Sequence, residues 1–274
     1  VISKQLADIK KKYAKSRRTE IVYDKPEEYT EEPEILDYPV IAVVTKDGYF
    51  KKILPPKSAN AKVEEQKLKE NDEIVYNETV TNDCDLIAFT DKCQAYKARL
   101  DDFDEIKPSA LGDYIPAKLK FDDGENVMFI CVTKDYSGSI AFFYENGKAL
   151  TVPLKAYETK TNRKKLANAY SADSKSVGIF FVPQNTGRSS SVDFLLKTSG
   201  SKAMIINSSL LTEKVTRSSS GVIVFTLKKG QILTDVSLFT DDGSEEMKEF
   251  SRYRKTKVPS TGTTITSGKQ LSLI

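Results

Sequence analysis

A β-hairpin signal returns about every fifty residues along this chain, and this period restricts the possible folds more than any other feature. Runs of apolar β-formers at 40–44, 86–89, 140–143 and 192–196 are each followed by a turn. Taking Gly48, Cys93, Gly147 and Gly200 as turn markers, the steps are 45, 54 and 53 residues. Repeats of this length are typical of solenoids and propellers.

The second half of each unit repeats as well. A turn followed by a strand occurs at 71–75, 123–127, 173–177 and 229–233, and the β segments end near Thr79, Thr133, Pro183 and Thr240. We therefore expect an all-β, propeller-like fold of four full blades between about 40 and 240. Residues 241–274 would add a partial or fifth blade or a closing segment. The alternative is an irregular pair of β domains whose hairpins share only turn chemistry.

The first 37 residues differ from the rest. Ile2, Leu6, Ile9 and Tyr13 are spaced as one face of a helix, which we expect over 3–16. A short strand at 20–23 and an acidic linker from 24 to 37 would follow. We thus expect two parts, 1–37 and 38–274. The chain begins with Val1, so we expect it to be part of a longer polypeptide.

Composition excludes several classes of function. The chain has no histidine, so Ser-His-Asp catalysis and His-ligated zinc are excluded. Its three cysteines form neither a CxxC pair nor a disulfide framework, which indicates a reducing compartment and a cytoplasmic location. The sequence contains no phosphate-binding glycine motif and no apolar run long enough to span a membrane. We expect no catalytic residue, metal site or cofactor in this part.

Basic residues form clusters, although 42 Lys and Arg nearly balance 39 Asp and Glu. Several bases follow the marker turns, and others lie in loops between units; arranged around a ring, they would form a positive rim able to hold phosphates. The candidate DNA-binding residues are Lys51, Lys52, Lys97, Arg99, Lys148, Lys155, Lys160, Arg163, Lys164, Lys202, Lys214, Arg217, Arg252, Arg254 and Lys255. Solvated surface residues without a function are the alternative for each of them.

Two motifs resemble a known family. Residues 6–13 and 17–21 resemble the exit of the coiled coil in the A subunit of bacterial type IIA topoisomerases, DNA gyrase and topoisomerase IV. Residues 43–52 are similar to the first blade of that subunit's C-terminal β-pinwheel, and the similarity continues through the four repeats.

The resemblance implies a non-catalytic β-pinwheel domain that binds and bends double-stranded DNA for an ATP-dependent enzyme. It implies as partners the catalytic part of the same polypeptide and the ATPase subunit in a heterotetramer, near the nucleoid, with ATP and Mg used only by the complete enzyme. Gyrases carry a Gln-Arg-Arg-Gly-Gly-Lys-Gly box after the first blade, whereas residues 55–65 here read PPKSANAKVEE. This departure favours a topoisomerase IV-like protein that works in relaxation and decatenation rather than supercoiling.

A protein-interaction scaffold of the same fold, without DNA binding, is the alternative function. An independent enzyme is a more distant possibility.

Overall fold

The structure is a computed structural model that describes residues 1–15, 37–56, 66–159, 164–184, 191–240 and 250–265. The chain divides into two compact units, Val1–Glu34 and Ile35–Ile274.

In the first unit, helix α1 spans Ile2–Tyr13, close to the predicted 3–16. Its apolar seam recurs at helical spacing, and its last turn holds Lys10, Lys11 and Lys12, which favour the negative end of the helix dipole. None of its residues is buried. The predicted strand at 20–23 and nearly all of the acidic linker lie outside the described residues.

The second unit consists of strands and short helical turns. Its strands are β1 (Pro39–Thr45), β2 (Tyr49–Ile53), β3 (Ile74–Thr81), β4 (Asp85–Thr90), β5 (Ala95–Arg99), β6 (Asp113–Tyr114), β7 (Val127–Thr133), β8 (Ser139–Tyr144), β9 (Lys148–Pro153), β10 (Lys165–Leu166), β11 (Ser176–Val182), β12 (Asp193–Thr198), β13 (Lys202–Asn207), β14 (Val222–Ile223), β15 (Leu233–Phe239), β16 (Arg254–Lys255) and β17 (Thr263–Thr264). A one-turn helix, α2 (Ile115–Lys118), follows β6, and short 3-10 turns follow β5, β9 and β13.

These strands form four sheets, one for each repeat, which confirms the propeller-like prediction. Their orders are β3-β1-β2-β6 in sheet 1, β10-β5-β4-β7 in sheet 2, β11-β8-β9-β14 in sheet 3 and β15-β12-β13-β16 in sheet 4. In each sheet an antiparallel hairpin pairs through its first strand with the third strand of the same repeat. The fourth strand, next to the hairpin's second strand, comes from chain that follows the next hairpin. Within the described residues no further hairpin repeat follows sheet 4, and the segment 250–265 supplies its β16 and β17.

The hairpin turns close on a residue in the left-handed backbone region, which we call the turn residue. In the first three sheets it is Gly48, Cys93 and Gly147, with φ of 86°, 58° and 77°, as the sequence indicated. In sheet 4 it is Ser201, with φ of 53°, so the choice of Gly200 as the fourth marker was wrong by one residue. The hairpin register shows the same, because Thr198 pairs with Lys202.

The sheets pack face to face in chain order, because their central strands are apolar on both sides. Along β4, Leu86 and Ala88 pack in a core shared with sheet 1, while Ile87 and Phe89 pack in a core shared with sheet 3. The rings of Phe143 and Phe194 meet across the interface of sheets 3 and 4 with centroids 4.9 Å apart. Burying one such side chain stabilises the fold by about 1.5–3 kcal/mol.

The first and last sheets each have one face that no other sheet covers in the described part of the chain. On sheet 1 this face carries Lys51, which is fully buried under the loops around residues 67 and 108. On sheet 4 it carries Lys197, paired with Asp235 at 3.2 Å, beside a small core that includes Tyr253 from the closing segment.

No helix among the described residues is long and apolar enough to cross a membrane. The cysteines behave as packing residues: Cys84 and Cys131 are buried, and Cys93 is half-buried at its turn. Burial raises the pKa of the Cys131 thiol to about 12, which keeps it in the unreactive thiol form.

Candidate nucleic-acid interface

The bases that follow the marker turns do not occupy one recurring position. Counted from the turn residue, Lys51 is third, and its counterparts are Tyr96, Leu150 and Met204, as the hairpin registers show. Lys52 and Lys97 share the fourth position, and Lys148 and Lys202 share the first. Arg99 is sixth. The expectation that these six bases repeat as one set was therefore wrong.

Lys51 and Lys52 are also not on the surface. Their exposed fractions are 0% and 4%, because two loops cover one face of β2 and the 3-10 turn after β5 covers the other. Lys51 Nζ donates to the backbone oxygens of Lys67, at 2.5 Å, and Pro108, at 3.2 Å. Burial lowers the pKa of Lys51, and the neighbouring charge of Lys67 lowers it further. The interpretation of both lysines as exposed rim bases was wrong.

The ammonium of Lys52 belongs to a buried network. It donates to Asn82 Oδ1 at 3.0 Å and to the Leu100 backbone oxygen at 3.2 Å. The amide of Asn82 in turn donates to Asp101 Oδ1 at 3.1 Å. Lys52 therefore joins sheet 1 to the segment that follows β5.

Lys97 is held between sheets 2 and 3. Its side chain is 11% exposed, lies 3.5 Å from Asp85 Oδ2, and stacks on the Tyr136 ring at 4.9 Å. The hydroxyl of Tyr136 donates to the same carboxylate of Asp85. Arg99, which ends the same strand, is half-buried. Lys97 is thus neutralised by a nearby carboxylate.

The remaining strand and turn bases are more accessible. Lys148 and Lys202 are half-buried at the start of their strands, and Lys155 is exposed on the 3-10 turn after β9. Lys155 pairs with Glu158 at 2.6 Å, an exposed contact that water screens strongly.

The loop clusters, in contrast, all lie beside the second hairpin strand of a sheet, although the incoming segment runs antiparallel to that strand in sheet 2 and parallel to it in sheets 3 and 4. In every sheet, the residue at the fourth position after the turn residue pairs with an incoming segment from later in the chain. The incoming residue is Lys164 opposite Lys97, Glu213 opposite Thr151 and Arg254 opposite Ile205. Next to them lie Lys165, Lys214 and Lys255. We call these segments of sheets 2–4 the basic edges.

Several side chains of the basic edges carry counter-charges or ring contacts. Lys165 pairs with Asp122 at 2.5 Å, and Arg254 pairs with Asp193 at 2.5 Å. Lys255 Nζ donates to a neutral threonine hydroxyl, Thr263 Oγ1, at 2.8 Å. These contacts fix where the side chains lie and reduce their net positive field.

Lys164 and Lys214 are exposed, and each has no ion-pair partner within the described ranges. The guanidinium of Arg217 lies 5.8 Å from the Tyr157 ring centroid, and that of Arg252 lies 4.7 Å from the Tyr253 ring centroid. The other two candidates, Lys160 and Arg163, lie outside the described residues. In the part of the chain that is described, no group of Cys, Asp and Glu is arranged to hold a metal ion.

The reasoning from sequence missed the role of these edge segments because each pairs through at most two residues and carries no periodicity. A spacing signal was present: Lys164, Lys214 and Arg254 are 50 and 40 residues apart, close to the period of the repeat. Only the pairing with the preceding hairpin shows that these residues lie at the edges of successive sheets.

Comparison with known proteins agrees with this architecture. The A subunit of DNA topoisomerase 4 from Bacillus subtilis is 25% identical over 170 residues, which cover 61% of this chain and 21% of that protein. The A subunit of DNA gyrase from Helicobacter pylori is 29% identical over 154 residues, 54% of this chain and 18% of that protein. The chain thus matches about a fifth of the length of these curated relatives. No family model matches the sequence.

Two solved structures share the fold. The C-terminal domain of DNA topoisomerase IV has a TM-score of 0.63 and 21% identity, covering 75% of this chain and 62% of that one. The E. coli ParC C-terminal domain has a TM-score of 0.58 and 10% identity, covering 84% of this chain and 94% of that one. The order of four hairpin-based sheets and the sequence similarities together confirm the resemblance of this chain to the C-terminal β-pinwheel domains of bacterial type IIA topoisomerase A subunits.

Proposed function

We propose that this chain is a non-catalytic DNA-binding and DNA-bending domain of a type IIA topoisomerase A subunit. The observation that carries the proposal is that the segments lying beside the second hairpin strand of sheets 2, 3 and 4 each carry lysine or arginine. Cations repeated along successive sheets can follow a phosphate backbone without reading bases. Contacts that lie on several sheets favour a curved path for the duplex over a straight one.

In the complete polypeptide, the domain would present a duplex segment to the catalytic part of the same polypeptide. The enzyme would also require the ATPase subunit, ATP and Mg, and would act in the cytoplasm on the nucleoid. The absence of the gyrase box from residues 55–65 supports relaxation and decatenation rather than supercoiling. The similarities do not separate these roles, because a topoisomerase IV relative and a gyrase relative match at 25% and 29% identity.

DNA binding can be tested by a salt titration with a 30-base-pair duplex of arbitrary sequence, measured by fluorescence anisotropy. The triple variant Lys164→Ala/Lys214→Ala/Lys257→Ala removes three exposed bases from the basic edges and the residues next to them. Loss of three phosphate contacts should reduce the slope of log K against log salt by about 3. A FRET pair on the duplex ends should report closer ends with the wild-type chain than with the variant.

A matched control removes exposed lysines from the turn end of the sheets: Lys46→Ala/Lys69→Ala/Lys175→Ala, each of which is exposed and paired with a carboxylate. This control changes the net charge equally and should change the slope by less than about 1. Equal losses in the two variants, or no duplex binding by the wild-type chain, would refute the proposal.

A protein-interaction scaffold is the second candidate because apolar residues are exposed at the edge of sheet 3. Val215 is 77% exposed, and Val222 and Ile223 are 40% and 48% exposed. Such residues favour contact with protein rather than with phosphates. If the domain is a scaffold, the triple variant should bind its protein partners with the same affinity as the wild-type chain.

A further inference from the structure

The edge of sheet 1 differs in charge from the basic edges, although it is built in the same way as the edge of sheet 3. The segment that follows β5 returns to β2, where Glu105 bridges Lys52 and the Ile106 N–H donates to the Lys52 backbone oxygen at 2.8 Å. In sheet 3 the same geometry holds, because Glu213 bridges Thr151 and the Lys214 N–H donates to the Thr151 backbone oxygen at 2.8 Å.

The incoming segment of sheet 1 is strongly acidic. Residues 100–107 contain four acids and one base, whereas 154–165 contain one acid and five bases, 208–217 contain one acid and two bases, and 250–257 contain four bases and no acid. We call the four carboxylates of sheet 1 the acidic edge; they are Asp101, Asp102, Asp104 and Glu105. All four are exposed, and within the described ranges none is paired with a lysine or arginine.

Three of these carboxylates are held in place by hydrogen bonds, and Asp102 Oδ2 accepts from the Arg99 backbone N–H at 3.3 Å. Asp101 accepts from the amide of Asn82, which is itself fully buried and tied to Lys52. Glu105 Oε1 accepts the hydroxyl of Tyr38 at 2.5 Å, and this bond raises the pKa of Tyr38 to about 12. The only lysines on β2 are buried, Lys52 beneath this segment and Lys51 under the loops on the other face, so neither can reach a phosphate.

From these observations we infer that the acidic edge ends the DNA path: a duplex lies along the basic edges of sheets 2–4 and is repelled from sheet 1. The inference rests on the proposed function and specifies its extent. Carboxylates and phosphates are both anionic, so contact there raises the free energy of the complex. The Debye length is about 8–10 Å at physiological salt, close to the spacing of about 10 Å between stacked sheets. The repulsion therefore acts on sheet 1 without cancelling the attraction at sheets 3 and 4.

The test compares the wild-type chain with Asp101→Asn/Asp102→Asn/Asp104→Asn/Glu105→Gln, which removes the charges and keeps the shapes and hydrogen-bonding oxygens. Duplexes of increasing length are titrated at about 0.1 M salt, and dissociation constants are measured by anisotropy. We expect the variant to bind long duplexes on the order of tenfold more tightly. The shortest duplex that reaches full affinity should lengthen by at least about 3 base pairs, one sheet spacing at about 3.4 Å per pair.

The matched control neutralises four exposed acids at the turn end of the sheets: Asp47→Asn/Glu70→Gln/Asp123→Asn/Asp173→Asn. It changes the net charge by the same amount and should leave the minimal duplex length unchanged. If the two variants gain affinity equally and the minimal length does not change, the acidic edge sets no boundary and the inference is wrong. If the wild-type chain binds no duplex at all, the proposed function itself fails.

A smaller variant protects the test against loss of folding. Asp102→Asn/Asp104→Asn leaves the Tyr38 and Asn82 contacts intact and should give about half of the effect on the logarithm of the affinity. No gain in this double variant, with a thermal unfolding midpoint equal to that of the wild type, would also overturn the inference.

Discussion

The interfaces between sheets and the two terminal faces use the same positions of the repeat in opposite ways. At the third position after the turn residue, sheets 3 and 4 place Leu150 and Met204 in cores shared with the preceding sheet. Sheet 1, which no other sheet precedes in the described part of the chain, places Lys51 there. Four residues before the turn residue, Phe143 packs against sheet 4, whereas sheet 4 itself has Lys197. The repeat thus has the same backbone in every sheet, and a position carries an apolar side chain where another sheet packs against it.

The largest expected effect comes from placing the lysine of a terminal sheet face at the equivalent position of an interface between two sheets. Phe143→Lys copies Lys197 into the fully buried interface of sheets 3 and 4. An unpaired ammonium and the loss of the ring contacts should lower the free energy of unfolding by at least about 4 kcal/mol, measured by urea denaturation. Leu238→Lys, at a position that is 49% exposed, is the control and should cost less than about 1 kcal/mol. Similar costs at both positions would contradict the distinction between interior and surface.

An intermediate effect is expected at the face of sheet 1. Lys51→Met introduces the residue of the equivalent position in sheet 4 and removes the donor shared by two loops. We expect a loss of about 1.5–3 kcal/mol at pH 7, since hydrogen bonds made by charged groups contribute that much.

The same variant has a pH signature. Because the pKa of Lys51 is lowered in the folded chain, the unfolded chain binds more protons between that pKa and 10.5. The wild type should therefore gain stability relative to Lys51→Met as pH rises through this window, and urea denaturation of both at pH 7–11 measures the difference. A difference that is constant with pH would show that the lysine is not perturbed by burial.

The smallest effect is expected at the face of sheet 4. Lys197→Leu restores the apolar pattern, but the face carries a polar partner, Asp235, which is 50% exposed. Since the pair is partly solvated, its loss should change the free energy of unfolding by less than about 1 kcal/mol in thermal or urea denaturation. A stabilisation beyond about 2 kcal/mol would indicate that a further sheet could pack here.

The period and the apolar runs predicted the hairpins well, because alternation and turn residues are local properties. The 40–44 run became Pro39–Thr45, and the second β segment of the third repeat ended at Val182, next to the predicted Pro183. The strand residues with which the edge segments pair could not be predicted in this way. Pairs such as Lys97 with Lys164 join residues far apart in sequence, and two-residue strands leave no pattern.

The candidate site was predicted in part for the same reason. Loop clusters around Lys164, Lys214 and Arg254 proved to lie beside the second hairpin strand of successive sheets once the sheets were known. The burial of Lys51 and Lys52 could not be foreseen from sequence, because it results from distant loops that fold over one strand. A lysine that follows a turn is usually solvated. Lys51 and Lys52 are buried instead because of their tertiary contacts.

Borrowing each sheet's last strand from chain beyond the next hairpin has a practical consequence for anyone who dissects this domain. A cut between two repeats leaves the earlier sheet without its outer strand and exposes its hydrogen-bonding edge to aggregation. A fragment that ends at Thr81 would contain β1–β3 but lack Asp113–Tyr114. A truncated chain that is meant to fold must therefore extend beyond the end of its last complete repeat. It must include the short strand that follows the next hairpin and completes the preceding sheet.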